Sequence, residues 1–209
     1  MRLFITGTDT GVGKTYVTAR LVRSLRARGL DCVGMKPISC GGLEDADALM
    51  AACDGLLSLD DVNPVRLASF CAPIIAAKIE NRPIDLDLIR RTYARLAAAH
   101  ESIIVEGAGG WLVPLTRDFF IADLAVELAL PVIVVAANRL GAINHTLLTV
   151  ESIQARGLSC AGIILNQARK PTGDDEIAIE TNRAVLEETA GVPVLGVVAH
   201  GQVEFALTW

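Results

Sequence analysis

No uninterrupted apolar run in the 209 residues reaches membrane-spanning length, although 52% of the chain is hydrophobic. Basic excess is also missing. Nineteen Lys and Arg against 24 Asp and Glu leave a net charge of −5, which argues against nucleic acid as a partner. The five cysteines, Cys32, Cys40, Cys53, Cys71 and Cys160, form no C-x-x-C pair. That scatter points to reduced thiols in the cytoplasm rather than a disulfide framework or a zinc site. The first residues enter directly into an apolar strand, so no signal peptide is expected. Without repeat, low-complexity tract or linker, the chain reads as one domain spanning 1–209.

What is present is concentrated first in Gly7-Thr8-Asp9-Thr10-Gly11-Val12-Gly13-Lys14-Thr15. Leu3, Phe4 and Ile5 precede it as a short buried-strand signal. Val17, Leu21, Val22 and Leu25 follow at helical spacing, and Gly29 is a natural stop. Glycines between a strand and a helix are the setting of a phosphate-binding loop. Backbone N–H groups there surround phosphate oxygens, and the positive helix end favours their charge. Lys14 then reaches the β/γ-phosphates and the Thr15 hydroxyl binds Mg²⁺. One detail departs from the usual spacing: the first glycine is Gly7, one residue before the expected position at Thr8.

Val- and Ile-rich segments alternate with helical stretches along the whole chain. Strands are expected at 2–6, 32–36, 102–106, 132–137, 161–166 and 194–198, mostly without polar alternation, as in strands covered on both faces. The expectation is an α/β fold with a doubly wound, mostly parallel sheet whose ligands lie at the strands' carboxyl ends. Lys36 closes the second strand before a small-residue loop at 38–42, and Glu106 closes the third before Gly107-Ala108-Gly109-Gly110-Trp111. An acidic residue ending a strand beside a phosphate loop suits Mg²⁺ or its water. A salt-bridge role for Glu106 and a solvent-facing Lys36 are the structural alternatives.

The acidic run Glu44-Asp45-Ala46-Asp47 opens a helix, where it either matches the helix dipole or supplies a Mg²⁺ ligand. Residues 63–83 contain three prolines and read as loops with a short helix; 85–99 and 121–130 read as helices, with Tyr93 in the core. A helix opening near Asn144 is a second candidate anion site. His145 has no nucleophile beside it and reads as a capping or packing residue. The guanine-reading Asn-Lys-x-Asp pattern is absent after the strand ending at Asn166, which favours adenine.

Taken together, the phosphate loop, Lys36-Pro37, Asp47-Ala48-Leu49, Glu106-Gly107-Ala108-Gly109-Gly110-Trp111 and Leu140-Gly141-Ala142-Ile143-Asn144-His145 resemble the dethiobiotin synthetase family, from the first strand to about Gly196. The resemblance implies a P-loop enzyme that joins 7,8-diaminononanoate, CO₂ and ATP into the ureido ring of dethiobiotin. It implies catalytic roles for Lys14, Lys36 and Thr10, and nucleotide binding by Gly11, Val12, Gly13, Lys14, Thr15 and Asn166. It further implies substrate contacts at Cys40, Gly109 and Asn144, and Mg²⁺ held by Thr15, Asp47 and Glu106. Members are homodimers in which the substrate carboxylate rests on the partner's helix N-terminus, here at Asn144.

Three features depart from that family. Gly11 stands where some relatives carry an acid, and Cys40 where relatives place Ser or Thr; a thiol is only a weak donor. The segment after Gly196 lacks a proline common near the adenine pocket, and the chain ends early at Trp209. The competing class is a regulatory ATPase that positions division machinery or plasmids, or an amidotransferase-like enzyme of cobyrinate synthesis. Such regulators carry a second lysine within the loop, where this chain has Asp9, and attach through an amphipathic or basic segment not visible here.

Overall fold

The computed structural model of the chain describes residues 1–170 and 173–202. Its first half runs β1 (Arg2–Gly7), α1 (Lys14–Ala27), β2 (Cys32–Met35), β3 (Ile38–Cys40), α2 (Glu44–Ala52), α3 (Leu59–Val62), β4 (Val65–Leu67), α4 (Pro73–Ile79) and α5 (Leu86–Ala99). The second half runs β5 (Ser102–Glu106), α6 (Ile121–Leu128), β6 (Val132–Ala137), α7 (Ala142–Ala155), β7 (Cys160–Asn166), a 3₁₀ turn at Gly173–Asp175, α8 (Glu176–Thr189) and β8 (Val194–Val198). All six expected strands are present, within a residue at each end.

Six strands form one parallel sheet in the order β2-β5-β1-β6-β7-β8. The connections leave β1 first to one side and later to the other. The carboxyl ends of β1, β5 and β6 therefore flank the switch point, where open α/β sheets hold ligands. Phe4, Ile5, Ile103, Ile104, Val105, Val132 to Ala136 and Ile163 to Leu165 have no measurable exposure. Each large aliphatic buried this way contributes about 1.5–3 kcal/mol, so the strand frame beneath the site is anchored in the core.

The region around residues 38–67 differs from its expected loops. Ile38–Cys40 is a strand, paired in parallel with Val65–Leu67 in a separate two-stranded sheet. A three-residue strand shows no period of its own and exists only through its distant partner. Asn63, fully buried, ties the two together: its amide donates to the carbonyls of Lys36 (2.7 Å) and Val65 (3.2 Å), and its Oδ1 accepts from Ser39 (2.7 Å). The α5 helix begins where expected because Asp85 caps it, accepting from the Leu88 N–H at 2.7 Å.

Candidate active site

Gly13 is the N-cap of α1, with φ 88°, and no side chain caps that helix. Its first N–H groups are thus left to face the loop's interior. Glycine is required here twice over, by the positive φ and by crowding: a Cβ would stand 2.1 Å from Asn166 Nδ2. That same amide donates to the Val12 carbonyl at 2.8 Å, so the end of β7 braces the loop from behind. Gly7 is also forced. A Cβ there would meet the Asp9 carbonyl at 2.8 Å and Lys14 Nζ at 3.0 Å, which accounts for a glycine one position earlier than the usual spacing.

A cavity of about 490 Å³ opens over this loop. Thr10, Gly11, Gly13, Lys14, Thr15, Lys36, Gly109 and Asn166 all line it, joined by Tyr16, Asp45 and a rim from Gln167, Ala168, Ala199, His200 and Gly201. Val12 lines an adjoining hollow of about 250 Å³ on the other flank of the loop, with Arg139 and Lys170.

The buried charges form one chain. Glu106 has no exposure; its Oε1 accepts from the Thr15 hydroxyl at 2.6 Å and from Lys36 Nζ at 2.7 Å. Lys36 also donates to Asp45 Oδ2 at 2.7 Å. Burial alone would lower the Lys36 pKa, but the Glu106 and Asp45 carboxylates outweigh it and hold the ammonium above its ordinary value. Lys14 lacks a carboxylate at contact distance, donating only to the Asp9 carbonyl at 3.3 Å. Burial, with Lys36 adding repulsion, pushes it down to about 8. Two buried cations of unequal character therefore stand together: one neutralised by protein carboxylates, the other awaiting an anion.

Glu106 Oε2 is buried with no hydrogen-bond partner. A buried carboxylate oxygen left without a partner is costly and marks a place for a cation or its water. Among the described residues no group of three or more His, Cys, Asp and Glu side chains has metal-holding geometry. Mg²⁺ does not need one, since it is usually held by one or two carboxylates, waters and substrate phosphates. The Thr15 hydroxyl, Glu106 and Asp45 fit that mode.

Three expected site residues lie elsewhere. Asp47 is exposed and does not line the cavity; Asp45 does. On α2 the inward face carries Leu49 and Ala52, and Asp45 precedes them at i−4 and i−7, whereas Asp47 points the other way. That helical phase was the available signal. Cys40 is half-buried at the end of β3, outside the cavity lining, and burial pushes its thiol up to about 11, so it stays protonated near neutrality. Asn144 and His145 are exposed in the first turn of α7, away from the cavity. Asn63 and Tyr16 had no signal in the sequence, because both act through backbone carbonyls of distant segments.

Lys36 Nζ also donates to the Gly107 carbonyl at 3.4 Å, and from there the stretch to Gly110 passes close over the loop. A Cβ on Gly110 would lie 3.6 Å from the Gly7 and Thr8 carbonyls, and Gly109 has φ 63°. Trp111 anchors this stretch: it is buried, donates to Ser152 Oγ at 3.2 Å and receives the Phe4 ring edge-on at 6.5 Å.

Comparison with known proteins agrees with this geometry. A family model described as AAA domain matches residues 1–202. Among solved structures, chloroplast FtsY from Physcomitrella patens superposes with a TM-score of 0.60 at 15% identity, over all of this chain and 61% of that one. The cell division ATPase MinD of Pyrococcus furiosus gives 0.56 at 17% identity, over 95% and 83%. These two share the P-loop α/β fold. Proteins named ATP-dependent dethiobiotin synthetase BioD are much closer in sequence. The one from Akkermansia muciniphila is 46% identical over 97% of this chain and 94% of its own length. Those from an Anaeromyxobacter species and Methanococcus vannielii are 48% and 40% identical, over 95% and 94% of this chain and 89% and 92% of theirs. With its phosphate loop and paired lysines lining one cavity, and a strand-end carboxylate bonded to Thr15 and Lys36 beneath it, this chain belongs to the dethiobiotin synthetase family, ATP-dependent ligases of biotin synthesis.

Proposed function

We propose that the protein, acting as one domain in the cytoplasm, closes the ureido ring of dethiobiotin from 7,8-diaminononanoate, CO₂ and ATP. One amine adds to CO₂ and loses a proton, giving a carbamate. A carbamate oxygen attacks the γ-phosphorus and ADP leaves, forming a carbamic–phosphoric anhydride. The second amine then attacks the carbonyl carbon, and phosphate departs as the ring closes. No protein nucleophile is needed. Positioning and charge neutralisation suffice, and the observation that carries this reading is the pair Lys14 and Lys36 buried side by side at the phosphate loop.

Lys14, without a carboxylate at contact distance, receives the phosphates. Lys36, held in place by Glu106 and Asp45, faces the carbamate and the transferring phosphoryl group. Thr10 and Gly109 border the space between. Thr15, Glu106 and Asp45 hold Mg²⁺, with Asp45 taking the role first expected of Asp47. When bound, that ion neutralises phosphate charge and orients the γ-phosphoryl group.

The diamino acid's carboxylate needs an anchor remote from its amines, and we place it on α7 of a second copy. That helix has no side-chain cap; Asn144 is exposed in its first turn, with Leu148 (57% exposed) one turn on and Leu140 (71%) just before the N-cap. Apolar residues so placed favour burial against another subunit. Five free thiols and a net charge of −5 support a reducing setting with small-molecule partners rather than nucleic acid. No helix among the described residues is long and apolar enough to cross a membrane.

An ADP-release assay with diaminononanoate and bicarbonate, each omitted in turn, tests the reaction. Release should require both, and a rate indifferent to the amine would instead identify an ATPase switch. For the shared site, Asn144→Ala should raise the KM for the diamino acid and spare that for ATP. A fully active monomer would refute the dimer.

A further inference from the structure

We infer that Tyr16 is a positioning residue for the base end of the nucleotide cavity, fixing a turn at residues 199–202 from outside the phosphate loop. The inference rests on reading this cavity as the ATP site. Its two ends differ in chemistry. Lys14, Lys36 and Asp45 crowd the end under the phosphate loop, while the rest of the lining includes Gln167, Ala168, Ala199, His200 and Gly201. A flat, uncharged base suits only the second.

That rim is fastened at both sides. Toward β7, the Gln167 N–H donates to the Val198 carbonyl at 2.8 Å, and the His200 N–H donates to Gln167 Oε1 at 3.3 Å. Within the turn, the Gln202 N–H donates to the Ala199 carbonyl at 3.1 Å and the Ala199 N–H to Gln202 Oε1 at 2.9 Å. On the opposite side the Tyr16 hydroxyl donates to the Gln202 carbonyl. Tyr16 is itself held, because the Arg20 guanidinium lies 3.3 Å from its ring centroid, a cation–π contact one helical turn along α1. The helix that carries the phosphate-binding lysine thus also sets the height of the base rim. Removing the hydroxyl releases the rim from α1 and leaves the phosphate loop, which β1 and Asn166 brace, unchanged.

The test separates the two ends of the cavity by ligand. ADP and inorganic tripolyphosphate, which lacks a base, are titrated into the wild-type protein, Tyr16→Phe and Tyr16→Ala. One ordinary hydrogen bond predicts ADP binding weaker by about threefold to tenfold in Tyr16→Phe, with tripolyphosphate within about twofold of wild type. Tyr16→Ala should lose more of the ADP affinity, since it also removes the ring from the cavity wall. Equal losses for both ligands would make Tyr16 a prop of the phosphate loop and overturn the inference. Unchanged ADP affinity in both variants would overturn it as well. Binding needs no amine turnover, so failure of ring closure in the ADP-release assay would be seen separately.

Discussion

The two halves of the sheet on either side of β1 end in different chemistry. Beyond β2 and β5 stand Lys36 and Glu106, buried charges in direct contact. Beyond β6 and β7 stand Asn138 and Asn166, buried amides bonded to backbone carbonyls or to another amide. Both pairs are buried, yet they do different things: the charged one leaves Glu106 Oε2 without a partner. A buried ion pair creates a strong local field at the cost of desolvation, whereas an amide fixes a backbone segment and adds little field. The charged half is built to act on phosphate, and the neutral half to hold the loops that surround it. Asn182 extends the second pattern, donating to Asn138 Oδ1 at 2.9 Å and to the Arg139 carbonyl at 3.0 Å.

The sharpest challenge to this division is removal of a charge from the first half. Lys14→Gln should keep the fold and lower kcat by about 10²–10³-fold, by analogy with loss of one oriented donor, about 3–4 kcal/mol. Near-normal turnover in the folded variant would remove the phosphate assignment.

Next in size is the response to pH. Bound phosphate favours charged Lys14, which burial and Lys36 push down to about 8. Below that value the free protein already carries the proton; above it, binding must take one up. ADP affinity should therefore be level in the acid range and fall by up to about tenfold per unit above pH 8. Calorimetry in buffers of different ionisation enthalpy should detect the proton uptake. An affinity level up to about pH 10 would show that Lys14 is charged throughout, contrary to the burial argument.

Neighbouring carboxylates provide a smaller, cleaner contrast. Asp45→Asn should raise the Mg²⁺ concentration needed for half-maximal activity by about tenfold, within the 10–100-fold range for lost metal-site partners, while Asp47→Asn stays within about twofold. The reverse ranking would restore the original choice of Asp47.

Least affected should be the amide half. Asn166→Ala deletes the bond to the Val12 carbonyl, worth about 1 kcal/mol, and should raise the KM for ATP about fivefold with little effect on Mg²⁺ dependence. A loss as large as that of Lys14→Gln would mean that the two halves do not divide the work this way.

The residues themselves determined the six-stranded α/β fold and most of the cavity. Long Val and Ile runs, a glycine loop between strand and helix, and single polar residues ending apolar strands are local signals, and each survives without knowledge of its neighbours. Residue type could not choose between Asp45 and Asp47, because both are acidic, lie two residues apart and open the same helix; only the i−4 and i−7 spacing of Asp45 from Leu49 and Ala52 hinted at it. Only the packing of Leu49 and Ala52 onto the core decided which one turns inward. The β3–β4 ladder, the Asn63 clamp on Lys36 and the Tyr16 tie to Gln202 were decided in the same way. Each joins segments far apart in the chain through backbone groups that every residue carries, so no side-chain pattern could announce them.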